Sequence, residues 1–308
     1  MKFERITVRR LPDGTLAKVF PFHVSLEGME DSLLCRDDED YDVAVKYLAL
    51  TARRHNVIII GYTIVSNHAH LVVLAVNEES ARKFANASKQ RISMWLSRKY
   101  SLKKTLRHRD VDVQYLDSDW YLRNAIAYDI RNLFDNGADN PAMYKWTSYR
   151  CYFCRGAIAG EGMIRLSSLS SREVESFMHT NEDCRDTMWI LNGNYEIEPA
   201  SFCDWEYAEA AFAHDMAFFL KTIGVVNSME MKDKLELAHK RRLSDGEFYK
   251  TVNEMSVRWF NMGLPDLSLS QKARLIKYAY HSVRSSVPQI ARCFGMDREH
   301  VSSLLKKK

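Results

Sequence analysis

The run from Val57 to Val76, VIIIGYTIVSNHAHLVVLAV, decides the fold. Val57 to Val65 is rich in Ile and Val and reads as a buried strand. Asn67 marks a turn, and His70 to Val76 reads as a second strand, so the spacing predicts an antiparallel hairpin. In a strand, residues two apart share a face, so His68 and His70 present two imidazoles side by side. Neutral imidazoles so placed suit a divalent metal such as Mg²⁺, Mn²⁺ or Zn²⁺. The pair opens a strongly apolar strand straight after a turn, where a histidine packed for bulk has little reason to recur.

Upstream, KVFPFHVSL (Lys18 to Leu26) reads as a strand with Phe20, Phe22 and Val24 on one face. The acidic start Asp37-Asp38-Glu39-Asp40 suits a helix N-terminus and opens a helix from Asp38 to His55. Downstream, Glu78 to Tyr100 reads as a helix with Phe84, Ile92, Trp95 and Leu96 on its core side. A strand over Val111–Leu116 and a helix over Asp119–Phe134 follow. This order predicts an α+β fold, an antiparallel sheet covered by helices, closing near Gly156.

On the helix from Asp119, Leu122, Ile126, Ile130 and Leu133 mark the buried stripe, with Tyr121, Asn124, Tyr128, Arg131 and Asn132 on the other side. Tyr128 and Asn132 are four apart and so neighbours, which lets a phenol and an amide oxygen able to complete a metal site project together. A half-buried aromatic using its hydroxyl as a polar handle is the plainer reading of Tyr128 alone.

From Glu161 to about Pro265 the pattern is helical, with Ser170 and Glu173 spaced as a capping box. Three amphipathic helices end the sequence, over Gln271–Ser282, Val287–Phe294 and Arg298–Leu305. Gly295 terminates the second and Asp297 caps the third. Ile290, Ala291 and Phe294 with Val301, Leu304 and Leu305 would share a small core, a helix-turn-helix whose last helix could enter a major groove. Three regions are expected: 1–156, 157–266 (a helical middle region) and 267–308 (the helix-turn-helix).

The 308 residues, 46% hydrophobic and 27% charged, suffice for a proper core and exclude a largely disordered chain. No stretch reaches the roughly 20 apolar residues of a membrane span, and the basic, polar start lacks a secretory h-region, so a cytoplasmic protein is expected. The six cysteines form no disulfide framework. Only Cys151 and Cys154 make a CxxC pair, and no second pair stands at zinc-finger spacing. Net charge is only +4, but residues 81–109 hold ten Lys or Arg and no acid. Residues 271–308 carry a local balance of +7. Two basic blocks on a near-neutral body point to a polyanionic partner, while a solvated helix face explains either block alone.

FHVSLEGMED, DDEDY, GYTIVSNHAHLVV, YLRNAIAYDIRN and WTSYR, in that order over about residues 18–156, resemble the REP-associated tyrosine transposases of the single-tyrosine HUH superfamily. The resemblance implies a ferredoxin-like HUH nuclease domain in which His68 and His70 bind a divalent metal, Mg²⁺ or Mn²⁺, with Asn132 as third ligand. Tyr128 would be the nucleophile, forming a 5′-phosphotyrosine and a free 3′-OH on single-stranded DNA next to a hairpin. Arg82, Lys83, Lys89, Arg91, Arg98, Lys99, Lys103, Lys104 and Arg131 would then track the DNA backbone, with Trp95, Tyr100 or Tyr115 as stacking surfaces. Arg292, Arg298, His300 and Lys306 would serve duplex contact through the helix-turn-helix. Ser66 and Leu133 stand where the family usually has Pro, and Leu106–Val113 replaces its Gly-Phe-rich segment. A monomer or homodimer without membrane attachment fits this reading. The alternatives are a catalytically silent DNA-binding regulator and a zinc hydrolase using His68, His70 and the CxxC pair.

Overall fold

A computed structural model describes residues 3–26, 33–101, 111–135, 141–153, 162–224, 243–283 and 285–306. Strand β1 (Thr7–Arg10) runs antiparallel to the first part of β2 (Leu16–Leu26), Thr7 opposite Val19. Helix α1 (Asp38–Arg54) begins where the Asp37 side chain accepts from the Asp40 amide, and it ends on Arg53 and Arg54, so its charges oppose its dipole at both ends. Strands β3 (Ile58–Ile64) and β4 (Ala69–Ala75) form the expected hairpin. Helix α2 (Glu78–Lys99), capped by Asn77, leads through residues outside the description to β5 (Asp112–Tyr115) and α3 (Asp119–Asp135).

The sheet is antiparallel in the order β5-β2-β4-β3, with β2 central because residues 22–25 pair on both edges. The α+β expectation therefore holds. Helices α1 and α2 pack on each other and on the sheet, and α3 packs on β3 and β4. Side-chain alternation separates the faces: Phe22, Val24, Leu71 and Val73 share one, while His23, Ser25 and His70 share the other, toward α3.

Beyond the sheet, β6 (Ile164–Arg165) pairs with β7 (Ile190–Leu191), with α4 (Ser171–Met178) between them, opened by the expected Ser170–Glu173 capping box. Helix α5 (Trp205–Ala211) packs on α3 and β3. The middle region is thus less helical than its sequence predicts, because Ile190–Leu191 pairs as a strand and Pro199 sits in a 3₁₀ turn. Four helices close the chain: α6 (Asp245–Phe260), α7 (Leu269–His281), α8 (Val287–Phe294) and α9 (Arg298–Lys306). Gly295 ends α8 in the left-handed conformation at φ 60°, as a helix stop requires. These helices build a second apolar cluster, in which Phe248 and Val252 of α6 join Leu275, Ile276, Ile290, Phe294 and Val301, with Leu33 from before α1. The larger cluster lies about the sheet and reaches Ile223.

Register shifts at a bulge between Ile59 and Gly61, where the chain segment after α3 crosses β3. There the Tyr152 hydroxyl meets Ile60 O and Ser148 Oγ, and a methyl on Gly61 would overlap that hydroxyl. Gly61→Ala is expected to destabilise the protein by about 1–3 kcal/mol in urea unfolding. Adding Tyr152→Phe should recover part of the loss, and a neutral Gly61→Ala would contradict the close approach.

Candidate functional site

Three elements converge on one face of the sheet. Ser25 lies opposite His70 in the β2–β4 register, and His23, two residues earlier, is the diagonal neighbour. The His23 and His70 rings therefore stack, 5.3 Å apart and 11° from parallel. Ser25 Oγ lies 2.9 Å from His70 Nδ1, leaving Nε2 of His70 for another partner. From α3, Asp129 Oδ1 sits 3.0 Å from His23 Nε2. One ligand atom each from His23, His70 and Asp129 falls within 4.8 Å of the others, a group that could hold a metal ion.

Electrostatics favour that use. Burial, helped by nearby His68 and His23, pushes His70 down to about 2, so the ring stays neutral and a nitrogen lone pair stays available. Burial pushes the Asp129 carboxyl up, with His23 opposing. Its Oδ2 is buried with no hydrogen-bond partner among the described residues, an uncompensated acceptor that a cation would satisfy.

Tyr128, next to Asp129, is 44% exposed. Its ring meets His70 edge-on at 5.2 Å and His23 at 6.0 Å. His68 is half-buried, 4.8 Å from His70 ring to ring, with Nδ1 2.9 Å from Asn67 Oδ1. The two histidines read from the sequence and the tyrosine thus lie together, while His23 and Asp129 were missed. The sequence held a trace of each: His23 interrupts an apolar strand, and Asp129 occupies the heptad spacing of Leu122, Ile126 and Leu133. Asn132 was expected on the open side of α3; it is buried.

The basic residues of α2 fare differently. Arg91 pairs with Glu182 at 2.8 Å, and Lys99 meets Asp37 and Glu39 at 2.7 Å and Asp40 at 3.0 Å. Arg82 and Lys83 pair with Glu78 and Glu79, one turn back. Lys89 is half-buried and Arg98 exposed. The α2 run also lies on the sheet face away from the histidines. Trp95 donates Nε1–H to Asp40, Tyr100 is held by Asp37 and Asp40, and Tyr115 is exposed beside Arg5. Arg292 is paired with Asp245, Arg131 is half-buried, and Arg298 and His300 are exposed. Lys103, Lys104, Cys154 and the Lys306 side chain lie outside the described residues. Cys151 is buried, its thiol donating to Ser148 O.

No helix among the described residues is long and apolar enough to cross a membrane. No family model matches the chain, and no curated protein matches it. A solved structure of a REP-associated tyrosine transposase bound to a REP hairpin overlays with a TM-score of 0.34 at 13% identity, covering 52% of this chain and 92% of that one. A score of that size assigns neither fold nor activity.

The depressed His70 predicts an acid-side weakness. Below the unfolded pKa of about 6.5 the unfolded chain takes up a proton that the folded one refuses, so stability falls as pH drops from 6.5 toward 2. Between pH 7.5 and 5, with chelator present, His70→Gln should lose less stability than the unsubstituted protein, by up to about 2 kcal/mol. Equal losses in urea melts at both pH values would show that His70 titrates normally.

Proposed function

We propose that this chain is a metal-assisted, single-tyrosine nuclease and strand transferase acting on single-stranded DNA, a transposase-like enzyme. The observation that carries the reading is the meeting of an exposed phenol with two imidazoles and a buried carboxylate: Tyr128 against His70 and His23, with Asp129 beside it. The sheet order, two helices on one face and a third on the other, suits the ferredoxin-like HUH arrangement. The region to about residue 156 is the proposed catalytic unit.

His23, His70 and Asp129 are the proposed ligands, with His68 and Asn132 close enough in the chain to adjust the set. Two nitrogens and a carboxylate favour a transition ion such as Mn²⁺ over Mg²⁺, which prefers oxygen. When bound, the cation would draw charge from a non-bridging oxygen of the scissile phosphate. Tyr128, half in solvent, is free to meet a phosphodiester. Its oxygen bonds to phosphorus as the bond to the 3′-oxygen breaks; the phenol loses its proton and the departing oxygen gains one. The 5′-phosphotyrosine keeps the phosphodiester energy, so a strand 3′-OH can reverse the step and join ends without ATP.

For the C-terminal helices we propose a helix-turn-helix in which α9, carrying exposed Arg298 and His300, meets duplex DNA. Its core includes α6, so the proposed duplex-binding unit starts near residue 243 and not at 267.

Incubation with a labelled hairpin-bearing oligonucleotide and Mn²⁺ tests the reading. A protein–DNA adduct that survives denaturation is expected, absent in Tyr128→Phe and at least tenfold weaker in Asp129→Asn and His23→Ala. DNA binding without any adduct would leave the silent regulator as the better description.

A further inference from the structure

The turn that delivers His68 and His70 is not held by the sheet alone. Val65 N–H donates to His68 O, closing the turn around Ser66. The Ser66 carbonyl accepts from Leu34 N–H and Cys35 N–H, at the approach to α1. Its hydroxyl donates to Asp245 Oδ2 at 2.7 Å, and Asp245 is the first residue of α6. The same carboxylate takes two charge-assisted bonds from Arg292 of α8, at 2.7 Å and 3.0 Å. Ser66 and Asp245 are 4% and 5% exposed, so this chain of contacts is buried.

Around it the joint is loosely filled. Among the described residues, the apolar cluster of the C-terminal helices takes in Leu33, just before α1, but no residue of the sheet. Between them opens a cavity of about 710 Å³, lined by Tyr41, Trp146 and Tyr144 on one side and Tyr249 and Asn253 of α6 on the other. A buried, fully geometric tie across a loosely packed joint transmits position from one body to the other. Arg292, read from the sequence as a DNA contact, is turned inward to this tie.

We infer that Asp245 and Ser66 are positioning residues: with Arg292 they clamp the C-terminal helices onto the histidine turn and fix how His70 is presented to the metal. This rests on the proposed metal site. Outer partners that orient ligands typically change metal affinity by 10–100-fold when lost. Ser66 acts one step further back than a direct partner, so the low end of that range applies.

The test is Mn²⁺ binding to the full-length protein, measured by titration calorimetry without DNA, in Ser66→Ala, Ser66→Thr and Arg292→Met/Asp245→Ala, the last of which also removes the acceptor of the Ser66 hydroxyl. The double variant removes both charges, so neither is left buried alone. Ser66→Ala should weaken Mn²⁺ binding about tenfold, Ser66→Thr should restore it, and the double variant should resemble Ser66→Ala. A lowered Tm in Ser66→Ala with unchanged Mn²⁺ affinity would reduce the tie to scaffolding and overturn the inference. The salt dependence of DNA binding separates the other reading of Arg292: a phosphate contact would reduce the slope by about 1 in the double variant, whereas the clamp leaves it unchanged. A reduced slope with unchanged Mn²⁺ affinity therefore also overturns it. If the unsubstituted protein binds no Mn²⁺ at all, the metal reading itself falls, and this inference with it.

Discussion

A carboxylate and an imidazole that cannot reach water must find each other, and much of this fold answers that demand. His70 sits on a strand whose every residue is buried, and Asp129 comes from a helix 59 positions later in the chain. His23 bridges them, stacked on one and hydrogen-bonded to the other. Burying such groups unpaired costs kilocalories, so the pairing helps to dictate where α3 docks. It also pins strand register. Sliding β4 by one residue against β2 would turn His70 into the apolar layer shared by Phe22, Val24 and Leu71, and would set Leu71 against Asp129.

The hairpin and its two histidines were legible because period-two patterning is local: β3 and β4 need only each other and a turn. His68 and His70 share a face for the same reason. His23 and Asp129 were not legible as a pair because nothing local links them; only the β2–β4 register and the seating of α3 bring them together. Asn132 misled for a related reason. An amphipathic stripe assumes one buried face, but α3 touches both the sheet and α5, and Ala125, Ala127 and Asn132 are buried as well. Strand β1 escaped notice because its four residues include two arginines, and its pairing depends on a longer partner.

The basic run of α2 shows the limit of counting charge along a chain. Residues 81–109 hold no acid, yet Arg91 and Lys99 face Glu182, Asp37, Glu39 and Asp40, which come from other elements. Net charge is additive along the sequence, but the field at a surface is not, since folding interleaves segments of opposite sign. What survives as a candidate for nucleic-acid contact is narrower: exposed groups such as Arg98, Arg298 and His300.

One helix meets two opposed needs. Ligands must be dry, so that their lone pairs are not bound to water and the ion's field is not screened; a nucleophile must be wet enough to meet a long polymer. Successive residues of an α-helix project about 100° apart. Asp129 therefore reaches His23 on the sheet while Tyr128, its neighbour, stays half exposed with its ring at a steep angle to the same imidazoles. Because both ride on α3, any rotation of that helix moves phenol and carboxylate together, keeping their mutual geometry while changing both relative to β2 and β4. The spacing between the proposed nucleophile and the histidine ligands is therefore set by how tightly α3 is held, which ties the chemistry to the packing of α3 against β3, β4 and α5 and not to any single contact within the site.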